Sequence, residues 1–183
     1  MTTAAQTSSS LIDWLQGLAK RQDRGRLAAL RRGLLLEPNQ FYELYRVVPP
    51  QFLEGAGRDE IQRRLMVAVL FATHQGSFPS DPENKRHHNL GESLRLLARK
   101  RAGGSIDSEE GLPEPLKRRL DALLAAPSDE LFPHLRQVIR MLKAEEIPVD
   151  WEQLLWDLRN WDQEDRRVQW QWSRSFYVGE REA

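Results

Sequence analysis

RDEIQRRLMVAVLFATH, residues 58–74, is the stretch on which the fold turns. It reads as the longest apolar helix of the chain, with Ile61, Leu65, Val69 and either Met66 or Leu70 on the buried face. Helical periodicity recurs on both sides of it, and no convincing alternating strand does. Upstream, Ser10 is placed to cap a helix that turns Leu11, Trp14, Leu15 and Leu18 inward. Leu27, Leu30 and Leu34 form an i, i+3, i+7 stripe. Pro38 restarts the chain into Phe41, Leu44, Tyr45 and Val48, and Pro49-Pro50 stops it. Downstream, residues 75–88 read as loop, and Asn89 caps a helix running through Ala102. Further helices are expected near 113–126, 128–144, 150–161 and 163–177, with Ser128 and Asp150 as N-caps.

The expected fold is therefore all-α: two packed antiparallel helical bundles of about eight to nine helices, forming one compact unit. A polar tail at 1–9 leads into an N-terminal half at 10–102. Gly103-Gly104-Ser105 to Gly111 connects it to a C-terminal half at 112–178. Composition agrees, since the 183 residues are rich in Leu, Arg, Glu, Ala and Trp and poor in β-branched types. The absence of cysteine excludes disulfides, thiolate zinc sites, iron–sulfur clusters and thiol nucleophiles together, and suits a cytoplasmic location. No apolar run approaches the roughly 20 residues of a membrane span. The opening MTTAAQTSSS has neither the basic start nor the apolar middle of a secretory signal and reads as a disordered tail.

Zero net charge conceals an asymmetry. Residues 1–101 hold 16 Lys and Arg against 10 Asp and Glu, whereas residues 102–183 hold 11 against 17. Basic residues gather in rows. Arg24, Arg31 and Arg32, with Arg21, flank the Leu27/Leu30/Leu34 stripe. Arg95 and Arg99 lie opposite Leu90, Leu94 and Leu97. Arg136, Arg140 and Lys143 stand to one side of Leu135, Val138, Ile139 and Leu142. Rows of this kind can follow a phosphate backbone, each neutralised phosphate releasing counterions. Lys117, Arg118 and Arg119 point three ways and read as solubilising.

Catalytic chemistry is largely missing. His87 and His88, near Asp81 and Glu83, are a conceivable metal cluster, but they lack the helical spacing that sets two imidazoles on one face. His134 has no paired nucleophile or acidic orienter. No glycine loop matches a nucleotide fingerprint. Glu145, Glu146, Asp150, Asp157, Asp162, Glu164 and Asp165 read as helix starts and exposed faces. No cofactor, no metal and no enzymatic activity are expected. Of six Trp, Trp151 joins the stripe of Leu154, Leu155 and Leu158, and Trp172 joins Val168 and Phe176. Trp161 and Trp170 read as the exposed exceptions, facing a partner protein or a base.

Several segments together carry a family resemblance. They are DRGRLAALRRG at 23–33, FYELYRVV at 41–48, RRLMVAVLFATH at 63–74, HHNLGESLRLLA at 87–98 and PVDWEQLLWDLRNWDQEDRRVQWQWSRSF at 148–176. From about Trp14 to Tyr177 the chain resembles the CasB family, the small subunit of the type I-E CRISPR Cascade complex. The resemblance implies a non-catalytic helical subunit in antiviral defence, two adjoining copies of which lie along the belly of the assembly. Its partners there would be crRNA, target DNA, the displaced strand and the other Cascade subunits, with no membrane. Arg31 and Arg32 match paired basic positions of the family's early helix. Arg140 matches a basic position on the helix before the Asp150-Trp151 turn, and Arg136 lies one turn earlier on that face. Arg24, Arg95, Arg99 and Lys143 rest on the rows alone. Asn89 stands where the family usually has a small hydroxyl residue. Two other readings remain open: a helical protein–protein adaptor, and a metal-dependent nuclease acting through His87, His88 and nearby acids.

Overall fold

A computed structural model of the chain describes residues 10–79, 86–104 and 111–179. The fold is all-α, with eight α-helices among those residues: α1 Leu11–Lys20, α2 Arg24–Arg31, α3 Arg58–Thr73, α4 Leu90–Arg101, α5 Glu114–Ala125, α6 Leu131–Ala144, α7 Trp151–Arg159 and α8 Arg167–Tyr177. Short 3-10 segments supplement them, and one isolated bridge joins Ser77 to Val149. Contacts divide the chain into residues 1–72 and 73–183. The division precedes the connector expected at 103–111, because α4 packs on α8, α5 and α6 and so groups with the C-terminal helices.

In the first unit, Ser10 caps α1 through a reciprocal pair: its hydroxyl accepts from Asp13 N at 3.0 Å, and the Asp13 carboxylate accepts from Ser10 N at 2.9 Å. Leu11, Ile12, Leu15 and Leu18 are buried behind it, while Trp14 is half-buried with its ring 5.6 Å from Phe52. Leu27, Leu30 and Leu34 are all buried, as their spacing requires. Residues Pro38–Arg46 depart from expectation, forming a 3-10 helix instead of an α-helix. At three residues per turn, Phe41 and Leu44 stack on one face and Tyr42 and Tyr45 on another. Tyr45, expected inward with a period of 3.6, is therefore exposed, and Val48 beyond the helix remains buried.

In the second unit, Asn89 caps α4, its side-chain oxygen accepting from Glu92 N at 3.2 Å while its amide donates to Ser175 on α8 at 2.8 Å. An amide performs both tasks, and a hydroxyl would also suffice to cap. Asp150 caps α7, accepting from Gln153 N at 2.9 Å. Two expected helix starts shift. Ser128 makes no capping bond, since Ser128–Glu130 is a 3-10 turn and α6 begins at Leu131. α8 begins at Arg167 rather than 163, after Arg166 takes a left-handed φ of 48° and Asp165 accepts from Arg167 N at 3.1 Å. Buried His74 is bonded through Nε2 to Ile147 O at 2.6 Å, and burial, then Lys143, lowers its pKa against that bond.

Asp157 corrects the reading of the C-terminal acids as surface groups. It is fully buried in α7, accepting from Trp172 Nε1 at 2.6 Å and Gln153 Nε2 at 2.7 Å. Burial raises its pKa from 3.8 to about 6, against the pull of both donors and with Asp150 adding to the rise. The unfolded chain ionises this group near 3.8, so its ionisation destabilises the fold progressively between there and about pH 6. A rise of that size costs on the order of 3 kcal/mol above that window and nothing below it. Asp157→Asn keeps an acceptor for Trp172 and removes the titration. Urea melts should show the variant gaining on the native protein at pH 7.5 by up to this amount, with the gap closing at pH 4. A gap that is the same at both pH values would refute the assignment.

Candidate nucleic-acid interface

The eight cations picked out by sequence fall into two groups according to their surroundings. Arg24, Arg32, Arg99, Arg140 and Lys143 are exposed, and none has a side-chain hydrogen bond or ion pair among the described residues. Their charge is available to solvent or to a ligand. Arg31, Arg95 and Arg136 are partly engaged within the protein. Arg31 Nε donates to Ala72 O at 3.0 Å, tying α2 to the end of α3. The Arg136 guanidinium lies 5.9 Å from the centre of the Phe132 ring one turn earlier on α6.

Arg95 is the furthest from a surface cation. It is half-buried, and its Nη1 donates to Phe176 O at 2.7 Å and Tyr177 O at 3.3 Å. Those are carbonyls of the last turn of α8, where a cation also meets the negative end of the helix dipole. Burial, and secondarily Arg99 one turn along α4, lowers its pKa. The i, i+4 spacing that joins Arg95 to Arg99 does not make the two side chains alike.

The two units carry different net charge. Residues 1–72 hold 10 Lys and Arg against 7 Asp and Glu, and residues 73–183 hold 17 against 20. Arg24, Arg31 and Arg32 thus sit in a basic unit. Arg136, Arg140 and Lys143 form a basic row on α6 within an acidic one. Of the cations set aside as solubilising, Lys117 pairs with Glu114 at 2.6 Å and Arg119 bonds Gln137.

The histidine loop has a packing role. The ring of His88 stacks on Phe78 with centroids 3.9 Å apart and planes 7° from parallel. Its Nδ1 lies 2.7 Å from Glu92 Oε2, and its backbone N donates to Asp150 Oδ2 at 3.1 Å. His87 Nδ1 stands 3.6 Å from the same Asp150 oxygen. Asp81 and Glu83 fall outside the described residues, and within those residues no three His, Asp or Glu gather as a metal site would need.

The order of helices, the Asn89 cap with Gly91 behind it, and the Asp150-Trp151 turn are thus in place. A family model of the CRISPR-associated protein Cse2 matches residues 26–177, most of the chain. This protein belongs to the Cse2 family. It is 29% identical over 168 residues to the CRISPR-associated protein Cse2 of Thermus thermophilus, covering 91% of this chain and 87% of that one. The crystal structure of M. ruber CasB superposes with a TM-score of 0.70 at 26% identity, over 93% of this chain and 94% of that one. A chain of a CRISPR RNA-guided surveillance complex shares the fold, with a TM-score of 0.65 at 22% identity over 91% and 92% of the two chains.

Within this Cse2 family member the tryptophans need one correction. Trp161, expected at the surface, is 2% exposed, with Nε1 donating to Ala126 O at 3.0 Å and its ring 5.1 Å from Trp172. It stands i+3 from Leu158 and i+7 from Leu154, so the buried stripe of α7, carried just past Arg159, already contains it. Trp170 is 74% exposed, as expected. Trp156, which sequence reasoning passes over, is 40% exposed. The signal is present: 152, 156 and 159 run i, i+4, i+7 along the side of α7 away from the Trp151/Leu154/Leu155/Leu158 stripe.

Proposed function

We propose that this chain is the non-catalytic small subunit of a type I-E CRISPR Cascade complex, acting in antiviral defence. In that role its basic helix faces hold crRNA and target DNA and support the displaced single strand. Family membership makes the assembly role the leading reading. The observation that carries the nucleic-acid part is the set of five exposed arginine and lysine side chains whose charge the described residues do not absorb. Phosphate contacts carry no base code, so binding should tolerate any sequence and weaken steeply with salt.

Protein contacts within the assembly have their own support. Leu35 is 85% exposed and Tyr42 62% exposed, and large apolar side chains this open suit packing against another subunit or a second copy. The same surface is what a helical adaptor without nucleic-acid contact would offer, so both readings meet in one experiment. The chain is co-expressed with the remaining subunits and a guide RNA, and the purified particle is weighed for stoichiometry. Two copies per RNA-containing particle are expected. A folded, helical protein absent from the particle overturns the proposal and leaves the adaptor reading in first place.

A further inference from the structure

The outer sides of α7 and α8 carry a pattern that the basic rows do not include. On α7, Glu152, Trp156 and Arg159 follow i, i+4, i+7; on α8, Arg167, Trp170, Gln171 and Arg174 follow i, i+3, i+4, i+7. All seven are exposed. Two concavities open there, about 700 Å³ and about 480 Å³, and both are lined by His87, Gln153 and Gln171, which makes them one groove. Asn89, Ser175 and Arg174 complete the first; Trp156, Arg159 and Glu152 complete the second. Each volume falls within the roughly 300–1,000 Å³ of small-ligand clefts.

The lining selects among occupants. Gln171 places an amide that both donates and accepts, His87 adds an imidazole, and Gln153 offers its side-chain oxygen while its Nε2 is held by Asp157 at 2.7 Å; such groups suit a base edge. The Arg167 guanidinium sits 5.7 Å from the centre of the Trp156 ring and steadies it, reducing the ordering cost of stacking. Arg159, Arg167 and Arg174 make the rim cationic inside a unit whose own net charge is negative. Of the two acids present, Glu92 is already held by His88 at 2.7 Å and Arg86 at 3.5 Å, leaving Glu152. Val178 is the one aliphatic side chain among the described lining residues.

We propose that this groove is a second nucleic-acid site, which takes an unpaired nucleotide of a single strand. Its base stacks on Trp156, its edge meets Gln153 and Gln171, and its phosphates lie along Arg159 and Arg174. The proposal rests on the reading of the chain as a nucleic-acid-binding subunit, but it adds a dependence on bases that phosphate rows lack.

The test uses the full chain and two strands of equal length, an oligothymidylate and its abasic counterpart, with affinity read by fluorescence anisotropy. The native protein should prefer the base-bearing strand by roughly tenfold, the value of one stacked base. Trp156→Ala should erase the preference while leaving abasic-strand affinity in place, and Trp156→Phe should retain most of it. Photocrosslinking of a 5-iodouracil strand should map to Trp156. Equal affinity of the native protein for both strands overturns the groove proposal, and salt-sensitive binding in that experiment leaves the phosphate rows standing. A preference that survives in Trp156→Ala also overturns it, as does unchanged preference with loss of Trp156→Ala from the assembled particle, which would make the face a protein contact. Failure to bind either strand overturns this proposal and the nucleic-acid function together.

Discussion

Gly91→Ala is expected to lower the melting temperature by roughly 6–12 °C, a loss of about 3 kcal/mol, although alanine is the better helix former. Gly91 lies in the first turn of α4, against the middle of α8. A Cβ built on it would stand 2.1 Å from Trp172 O and 2.8 Å from Trp172 C and Cα. These are backbone atoms, so no side-chain rotation relieves the clash and the two helices must separate. Their separation loosens the most extensive helix pairing of the fold, in which Leu90, Leu94 and Leu97 bury themselves with Val168, Trp172 and Phe176. It also stretches the Asn89 bond to Ser175 and the Arg95 bonds to the end of α8.

Gly25→Ala supplies the control. That position in α2 is exposed, and the nearest atom to an added Cβ is Asp23 Oδ1 at 3.7 Å, so the same substitution should stabilise by about 0.5–1 kcal/mol. Thermal melts followed by far-ultraviolet circular dichroism should therefore move in opposite directions. A Gly91→Ala protein that melts with the native one would mean that α4 and α8 are not in this contact.

The close approach at Gly91 shows where sequence stops being legible. HHNLGESLRLLA announces a capped helix with a leucine face, and α4 has both. Nothing local to those residues says which helix lies across the glycine. Chain order alone therefore puts α4 in the N-terminal half, and only its long-range packing on α8 moves it to the C-terminal helices. The same division runs through the rest of the molecule. α3 is readable as a helix from the length of its apolar stretch, but its single buried face is not: residues 65–72 are buried all round, Met66 and Leu70 both among them, and Ile61 is only half-buried. Ser10 is readable because a capping box is local chemistry. Pro38–Arg46 is easily misread because its apolar residues fit periods of both 3 and 3.6, and only packing decides between them.

At the candidate surface, position is legible and environment is not. Arg24 and Arg31 stand on α2, Arg32 in the 3-10 turn that follows it, Arg95 and Arg99 on α4, and Arg136, Arg140 and Lys143 on α6. Whether an arginine in a row faces solvent, a carbonyl or a ring depends on what the neighbouring element presents: Ala72 O for Arg31, the end of α8 for Arg95, Phe132 for Arg136. Asp157 is the extreme case. Its place beside Asp150 and Glu152 in an acidic segment hides a carboxyl that faces Trp172 rather than water. Composition would count it as surface charge, and its partner is fifteen residues away in sequence.

That sorting sets which substitutions can test nucleic-acid binding cleanly. Arg32→Glu combined with Arg140→Glu is expected to weaken single-strand binding by roughly 100-fold at moderate salt and to reduce the salt slope by about 1.4, or 0.7 for each lost phosphate contact. Both residues are exposed and have no side-chain partner among the described residues, so helicity and melting temperature should be unchanged. Arg31→Glu and Arg136→Glu should weaken binding too, but each also disturbs an internal contact, and a loss there mixes folding with recognition. Arg95→Glu belongs at the far end of the series: it sets a carboxylate against the Phe176 and Tyr177 carbonyls and should cost stability before it costs affinity. Anisotropy titrations at several salt concentrations, run beside melts of the same proteins, separate the two effects. A double variant at 32 and 140 that binds as the native protein does, with the same slope, would remove the basic rows from the interface. A reduced slope with an unchanged melt would make these two side chains contacts of the phosphate backbone, with their effect independent of the sequence bound.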